Sequence, residues 1–148
     1  LFFGDIFFFL YMPGKSRKPK EEKAKTLCIK NGLIHEIVDK LNENPQLEEV
    51  VITSPKPDPE CIRRFGEACD VIDDVIDAIF HLKNLKSLSL NHCGIEKFNM
   101  IAIRRLLEEN EKLTYLNLTR NQIGHIGAGY IAQALKTNSS IKELKLVM

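Results

Sequence analysis

The residues best able to hold a metal or act as nucleophiles are four cysteines, Cys28, Cys61, Cys69 and Cys93, and four histidines, His35, His81, His92 and His125. Zinc ligands come in closely spaced pairs, because one turn must present two of them to the same ion. No C-x-x-C occurs, and Cys61 and Cys69 are eight residues apart. No metal and no cofactor are therefore expected. Asp73/Asp74 and Glu108/Glu109 are adjacent carboxylates. Helix neighbours do not face each other, so these read as solvated surface rather than acid–base pairs. Gly124, Gly127 and Gly129 spell G-x-x-G-x-G, but at the wrong distance from a strand for a phosphate loop. His92 would stand alone on the sheet edge, without an obvious acid partner. No nucleophile, base and orienting group come together, so no enzyme and no small-molecule substrate are expected.

The chain around these residues has 148 positions, with 21 Lys+Arg against 20 Asp+Glu and a formal charge of +1. Near-neutral charge gives no electrostatic case for nucleic acid or an anionic membrane as the main ligand. Hydrophobic residues at 44% and charged ones at 28% suit a folded domain or a short repeat array. Residues 1–11 concentrate five of the eight Phe yet are too short to span a bilayer, which takes about 20 residues. They lack the flanks of a signal peptide and are expected to be an artefact or a remnant of upstream sequence. Residues 12–25 carry six Lys/Arg and form an expected basic, disordered leader. The sequons at Asn117 and Asn138 are read as incidental.

The elements that must position any site come from an internal repeat. Leu85-Lys-Ser-Leu88-Ser-Leu90-Asn-His-Cys93-Gly-Ile95 aligns with Leu113-Thr-Tyr-Leu116-Asn-Leu118-Thr-Arg-Asn121-Gln-Ile123 and with Ile141-Lys-Glu-Leu144-Lys-Leu146, at two equal intervals of 28 residues. A weaker copy, Leu47-Glu-Glu-Val50-Val-Ile52, stands 38 residues before Leu85, and Leu27-Cys28-Ile29 is a possible fifth. Alternating apolar residues predict strands, with Leu88, Leu90, Leu116 and Leu118 pointing inward. Between the copies lie apolar pairs at i and i+4: Ile37/Leu41, Val75/Ile79, Ile103/Leu107 and Ile131/Leu135. That spacing puts both members on one helix face. Each unit is a strand, a turn and a helix, stabilised by its neighbours. Cys93 and Asn121 fall at the bend after the strand, where a side chain can satisfy turn backbone. Pro55, Pro57 and Pro59 interrupt the long unit, where Pro55 occupies that bend position. A longer helix is expected over Pro59–Leu82, starting after Asp58 and possible to break near Gly66.

Residues 85–148 resemble leucine-rich repeats of the ribonuclease-inhibitor-like subfamily, whose units carry a full helix. The run from Asn121 to Leu144 resembles repeats of NOD-like receptors. Ile34–Val50 and Ala132–Leu144 are similar to the tropomodulin repeat domain, a family that caps the pointed ends of actin filaments; its actin-binding helices and tropomyosin-binding arm have no counterpart here. The resemblance implies an α/β fold: a right-handed leucine-rich-repeat solenoid, a short horseshoe with a parallel sheet on the concave side and helices on the convex side. The array is expected over 26–148, truncated at the C-terminus because the alternation continues to the last residue. It also implies a cytoplasmic location with reduced thiols.

Such a fold exposes alternate strand residues on the concave face: Glu49, Val51 and Thr53; Ser87, Ser89 and Asn91; Tyr115, Asn117 and Thr119; Glu143 and Lys145; with His92 and Arg120 flanking. These form the expected partner-binding surface, anchored by Tyr115 and Arg120, since Tyr and Arg dominate interface hot spots. The expected role is a non-catalytic scaffold for a protein partner, with no nucleic acid and no membrane. Tropomodulin-like binding at filament pointed ends is one alternative. A regulatory repeat domain of a GTPase-activating protein is another, as in Ran GTPase-activating proteins; no catalytic Arg on a repeat-edge loop stands out to support it.

Overall fold

A computed structural model describes residues 6–7, 25–57, 59, 63 and 72–147. Strands and helices alternate: β1 Ile6–Phe7, β2 Thr26–Lys30, α1 Ile34–Glu43, β3 Glu49–Thr53, α2 Ile72–Phe80, β4 Ser87–Asn91, α3 Met100–Glu109, β5 Tyr115–Asn117, α4 Gly124–Leu135 and β6 Glu143–Lys145. The six strands form one sheet in sequence order. Strands β2 to β6 run parallel, and β1 pairs antiparallel with β2, Ile6 opposite Ile29 and Phe7 opposite Cys28.

The register follows the repeat. Leu27, Val50, Leu88, Leu116 and Leu144 stand side by side across β2 to β6, and Ile29, Ile52 and Leu90 form the next row. Period-2 alternation sends both rows to the helix side of the sheet. There Leu27, Val50, Leu88 and Leu116 are at most 1% exposed. The helices supply Ile37 and Leu41, Val75 and Ile79, and Ile103 and Leu107, all buried. Each crossover returns the chain to a parallel neighbour, so no module closes its own core.

The fourth helix pair departs from expectation. Ile131 is buried, but Leu135 is 38% exposed. Its counterpart Leu107 is covered by α4, whereas no described helix packs on the far side of α4. Leu144 and Leu146 are half-buried for the same reason. A second departure concerns the long unit. Pro59 and Arg63 are helical, but the described helix ends at Phe80, short of Leu82. His81 and Leu82 turn off it through i→i−3 bonds to Ala78 and Ile79, the tight last turn common at helix ends. Asp58, Cys61, Gly66 and Cys69 lie outside the described residues, as do 1–5, 8–11 and the leader at 12–24.

Candidate functional site

The sheet has two faces, and the helices pack on one. The other carries three rows of side chains, fixed by the register. Thr26, Glu49, Ser87, Tyr115 and Glu143 form the first; Cys28, Val51, Ser89, Asn117 and Lys145 the second; Lys30, Thr53 and Asn91 the third. Thr119 lies just past the end of β5 and is half-buried. The rows contain local polar links rather than one network. Thr26 Oγ1 donates to Glu49 Oε2 at 3.3 Å. Lys145 Nζ sits 3.2 Å from Glu143 and 5.4 Å from the Tyr115 ring centroid. The bond to Glu143 first, and contact with Tyr115 second, hold the Lys145 ammonium above its ordinary pKa. Asn117 Oδ1 accepts from the Thr119 amide at 3.0 Å. Asn91 Oδ1 is buried and accepts no hydrogen bond among the described residues.

One expected surface residue is not on the surface. Ser89 is 8% exposed. It is a small side chain between the larger Val51 and Asn117 of the flanking strands, which shade it from solvent. Its neighbours Ser87, Tyr115 and Asn117 are half-buried, and Glu143 and Lys145 are exposed. Nor does the fold bring Tyr115 and Arg120 together: Tyr115 opens β5 and Arg120 lies beyond its far end.

A feature missed in the sequence runs along that far end. Asn31, Ser54, His92 and Arg120 each follow a strand segment, and each has a left-handed backbone, with φ of 55°, 49°, 53° and 58°. Their amides donate to Thr53, Asn91, Thr119 and Val147 carbonyls at 3.0, 3.1, 3.1 and 2.8 Å. The same turn is thus stamped on four successive modules, each tied to the next strand. Left-handed backbone is costly for side chains with a Cβ, so a repeated occurrence must be held by its surroundings. The turn aligns Ser54 with His92, and Ser54 Oγ lies 2.9 Å from His92 Nδ1. The 38-residue offset already placed these two residues at equivalent positions; that was the available signal. A serine hydrogen-bonded to a histidine is two-thirds of a nucleophilic triad. Among the described residues no carboxylate bonds the other ring nitrogen, so the pair joins two loops without the orienting acid.

Beneath this rim the bend residues behave as their type requires. Asn121 is buried; its Oδ1 accepts from the Cys93 and Ile95 amides at 2.9 and 3.2 Å, and its Nδ2 donates to Leu90 and Leu118 carbonyls at 2.7 and 2.9 Å. Cys93 Sγ lies 3.5 Å from the Ile52 carbonyl. Burial pushes the Cys93 thiol up to about 12 and also raises Cys28, where Glu49 adds to the effect. A thiol held protonated is a poor nucleophile and a poor metal ligand. Among the described residues no group of three His, Cys, Asp or Glu could hold a metal ion, and no helix is long and apolar enough to cross a membrane.

A family model described as Leucine Rich repeat matches residues 81–97 and 109–132. No curated protein matches. Among solved structures, the tropomodulin C-terminal domain of Caenorhabditis elegans aligns with a TM-score of 0.58 at 21% identity, covering 76% of this chain and 63% of that one. Leiomodin-1 Actin-Binding Site 2 aligns with a TM-score of 0.59 at 20% identity, covering 86% of this chain and 73% of that one. The chain therefore spans under two thirds of the tropomodulin domain it resembles. The two matched stretches carry the leucine-rich-repeat pattern, and the fold is the α/β repeat solenoid of the structures it resembles.

Proposed function

We propose that the chain is a non-catalytic scaffold that holds a protein partner against the helix-free face of its sheet, with the array over 26–148 as the working unit. One observation carries the reading. Parallel sheets are normally covered on both faces, whereas β2 to β5 present a polar face with no described element packed on it. Glu49, Thr53, Ser87, Asn91, Tyr115, Asn117, Thr119, Glu143 and Lys145 line it, with His92 and Arg120 on the rim. The buried, unmatched Asn91 Oδ1 supports a donor arriving from a partner after a small side-chain shift. Tyr115 is the anchor, since a half-buried aromatic already stacked with a cation costs little to immobilise. The location proposed is the cytoplasm, where Cys28 and Cys93 would stay as the thiols they are.

The test uses a photo-crosslinking residue placed at Asn117 or, as a convex control, at Gln133. Crosslinking of one protein from position 117, lost in Tyr115→Ala/Arg120→Ala and absent from position 133, is the expected result. Crosslinking from the helix side alone would remove the proposal.

A second reading is favoured by a specific likeness: the structural match to Leiomodin-1 Actin-Binding Site 2 supports actin as the partner. Co-sedimentation with filamentous actin, with a pointed-end elongation assay, decides it. A GTPase-stimulation assay addresses the regulatory alternative.

A further inference from the structure

The helix side of the solenoid is not uniformly polar. Phe98 is 67% exposed and Ile101 is 54% exposed, at the start of α3. They form one lip of a groove between α2 and α3 that encloses about 500 Å3. Its floor is Ile76, Phe80 and Ala102, and its other wall carries Asp73, Asp74 and Asp77. Large side chains left in water beside a concavity mark an interaction site more than scattered apolar residues do.

The charges are sorted in a telling way. Glu108 and Glu109 on α3 are neutralised by Arg104 and Arg105 at 2.6 and 2.9 Å, one helical turn away. Asp74 and Asp77 are exposed and make no ion pair among the described residues. Helix α2 itself contains no cation. Arg105 closes one end of the groove, its guanidinium carbon 4.7 Å from the Phe80 ring centroid. At the other end Asn99 Nδ2 donates to Asp73 Oδ1 at 3.0 Å, while Asn99 Oδ1 accepts from the Glu96 amide at 2.7 Å. The walls are thus tied together before any ligand arrives, which lowers the ordering cost of binding.

We propose that the α2–α3 groove docks a cationic amphipathic helix of a partner protein, apolar residues against Phe98, Ile101 and Phe80 and lysines or arginines against Asp74 and Asp77. Phe98, in the turn leading into α3, and Ile101 and Arg105 on the helix together span about 10 Å at helical rise. An incoming helix matches that length with side chains at i, i+4 and i+7. Two side-by-side helices offer a groove along their axes, the seat into which ridges of a third helix pack. Asp73, Asp74 and Asp77 outnumber the cations at the groove, Arg105, itself paired with Glu109, and Lys97, 4.8 Å from the Phe98 ring centroid, so charge complementarity selects a basic helix over an acidic one. This surface is on the opposite side from the sheet face assigned above, so the two stand or fall separately.

The test titrates the full chain with two fluorescein-labelled 18-residue helical peptides sharing one leucine stripe, one with lysine on its flanks and one with glutamate. Saturable one-to-one binding of the lysine peptide, weakened by salt, is expected. Asp74→Lys/Asp77→Lys should weaken it at least about tenfold and let the glutamate peptide bind, and Phe98→Ser should weaken both, each a step on the scale where about 1.4 kcal/mol is tenfold. Tyr115→Ala should change neither. Circular dichroism confirms that these surface variants fold. Equal affinity for both peptides, or indifference to either groove variant, overturns the proposal. Self-association abolished by Phe98→Ser would assign the groove to a second copy of the chain and overturn it as well.

Discussion

The side-chain oxygen of Asn121 accepts a hydrogen bond from the backbone amide of Cys93, 2.9 Å away, so the bend residue of one module fastens the bend of the module before it. The same amide group also serves Ile95, Leu90 and Leu118. Four buried backbone groups therefore depend on one side chain. Asn121→Ala should lower stability by about 2–4 kcal/mol, since each buried group left unpaired costs about 1–3 kcal/mol and relaxation recovers part. Urea unfolding of both proteins measures it; a loss below 1 kcal/mol would show that the loop re-pairs by itself.

Cys93 occupies the matching place one module earlier, and the proline-rich stretch explains why it is not asparagine. Its thiol reaches the Ile52 carbonyl, equivalent to the Leu90 carbonyl that Asn121 Nδ2 serves. Carried past the strand ends, the 38-residue sequence offset sets Cys93 and Ile95, whose amides Asn121 Oδ1 serves, against Pro55 and Pro57, which have no N–H. An asparagine at 93 would lack both donors that Asn121 Oδ1 has, with only the Ser54 backbone beside it. Cys93→Asn is predicted to destabilise by about 1–3 kcal/mol. In a background carrying Pro55→Ala and Pro57→Ala the same change should cost much less. A double-mutant cycle reads the coupling directly, and strict additivity would refute it.

Two glycines in α4 should respond with opposite signs. A Cβ on Gly127 would meet Ile123 Cγ2 at 2.5 Å and Met100 Cγ at 2.9 Å, whereas one on Gly129 meets nothing within 4 Å. Gly127→Ala is expected to destabilise by about 1–3 kcal/mol through overpacking. Gly129→Ala should stabilise by roughly 0.5–1 kcal/mol through helix propensity. Thermal unfolding of the pair provides the comparison.

Stability should fall in alkali. The Cys93 thiol sits at about 12 in the folded chain against an ordinary value of 9.0, raised chiefly by burial. Above pH 9 the unfolded chain releases a proton that the folded chain keeps, so unfolding is favoured increasingly up to about 12. The slope approaches about 1.4 kcal/mol per pH unit for one such group. Comparing urea midpoints at pH 8 and pH 10 for the wild type and Cys93→Ala isolates it; an unchanged pH dependence in the variant would assign the effect elsewhere.

What the amino-acid order determined by itself was the repeating pattern of apolar and bend residues. A 28-residue stride and period-2 alternation are properties of single modules, and copying one module predicts its neighbour. Hence the leucine rows across β2 to β6, three of the four buried helix pairs, and the bend roles of Cys93 and Asn121 were legible. The tertiary structure decided what depends on how unequal modules meet. Ser89 is hidden because larger residues flank it, and Leu135 is open because no described helix covers it. The 38-residue unit sets Ser54 against His92 and strips two donors from beneath Cys93. The α2–α3 groove exists because two helices with different surfaces are brought side by side. Local pattern encodes burial along one chain segment; shading, pairing and grooves are set by the side chains that the neighbouring segment contributes.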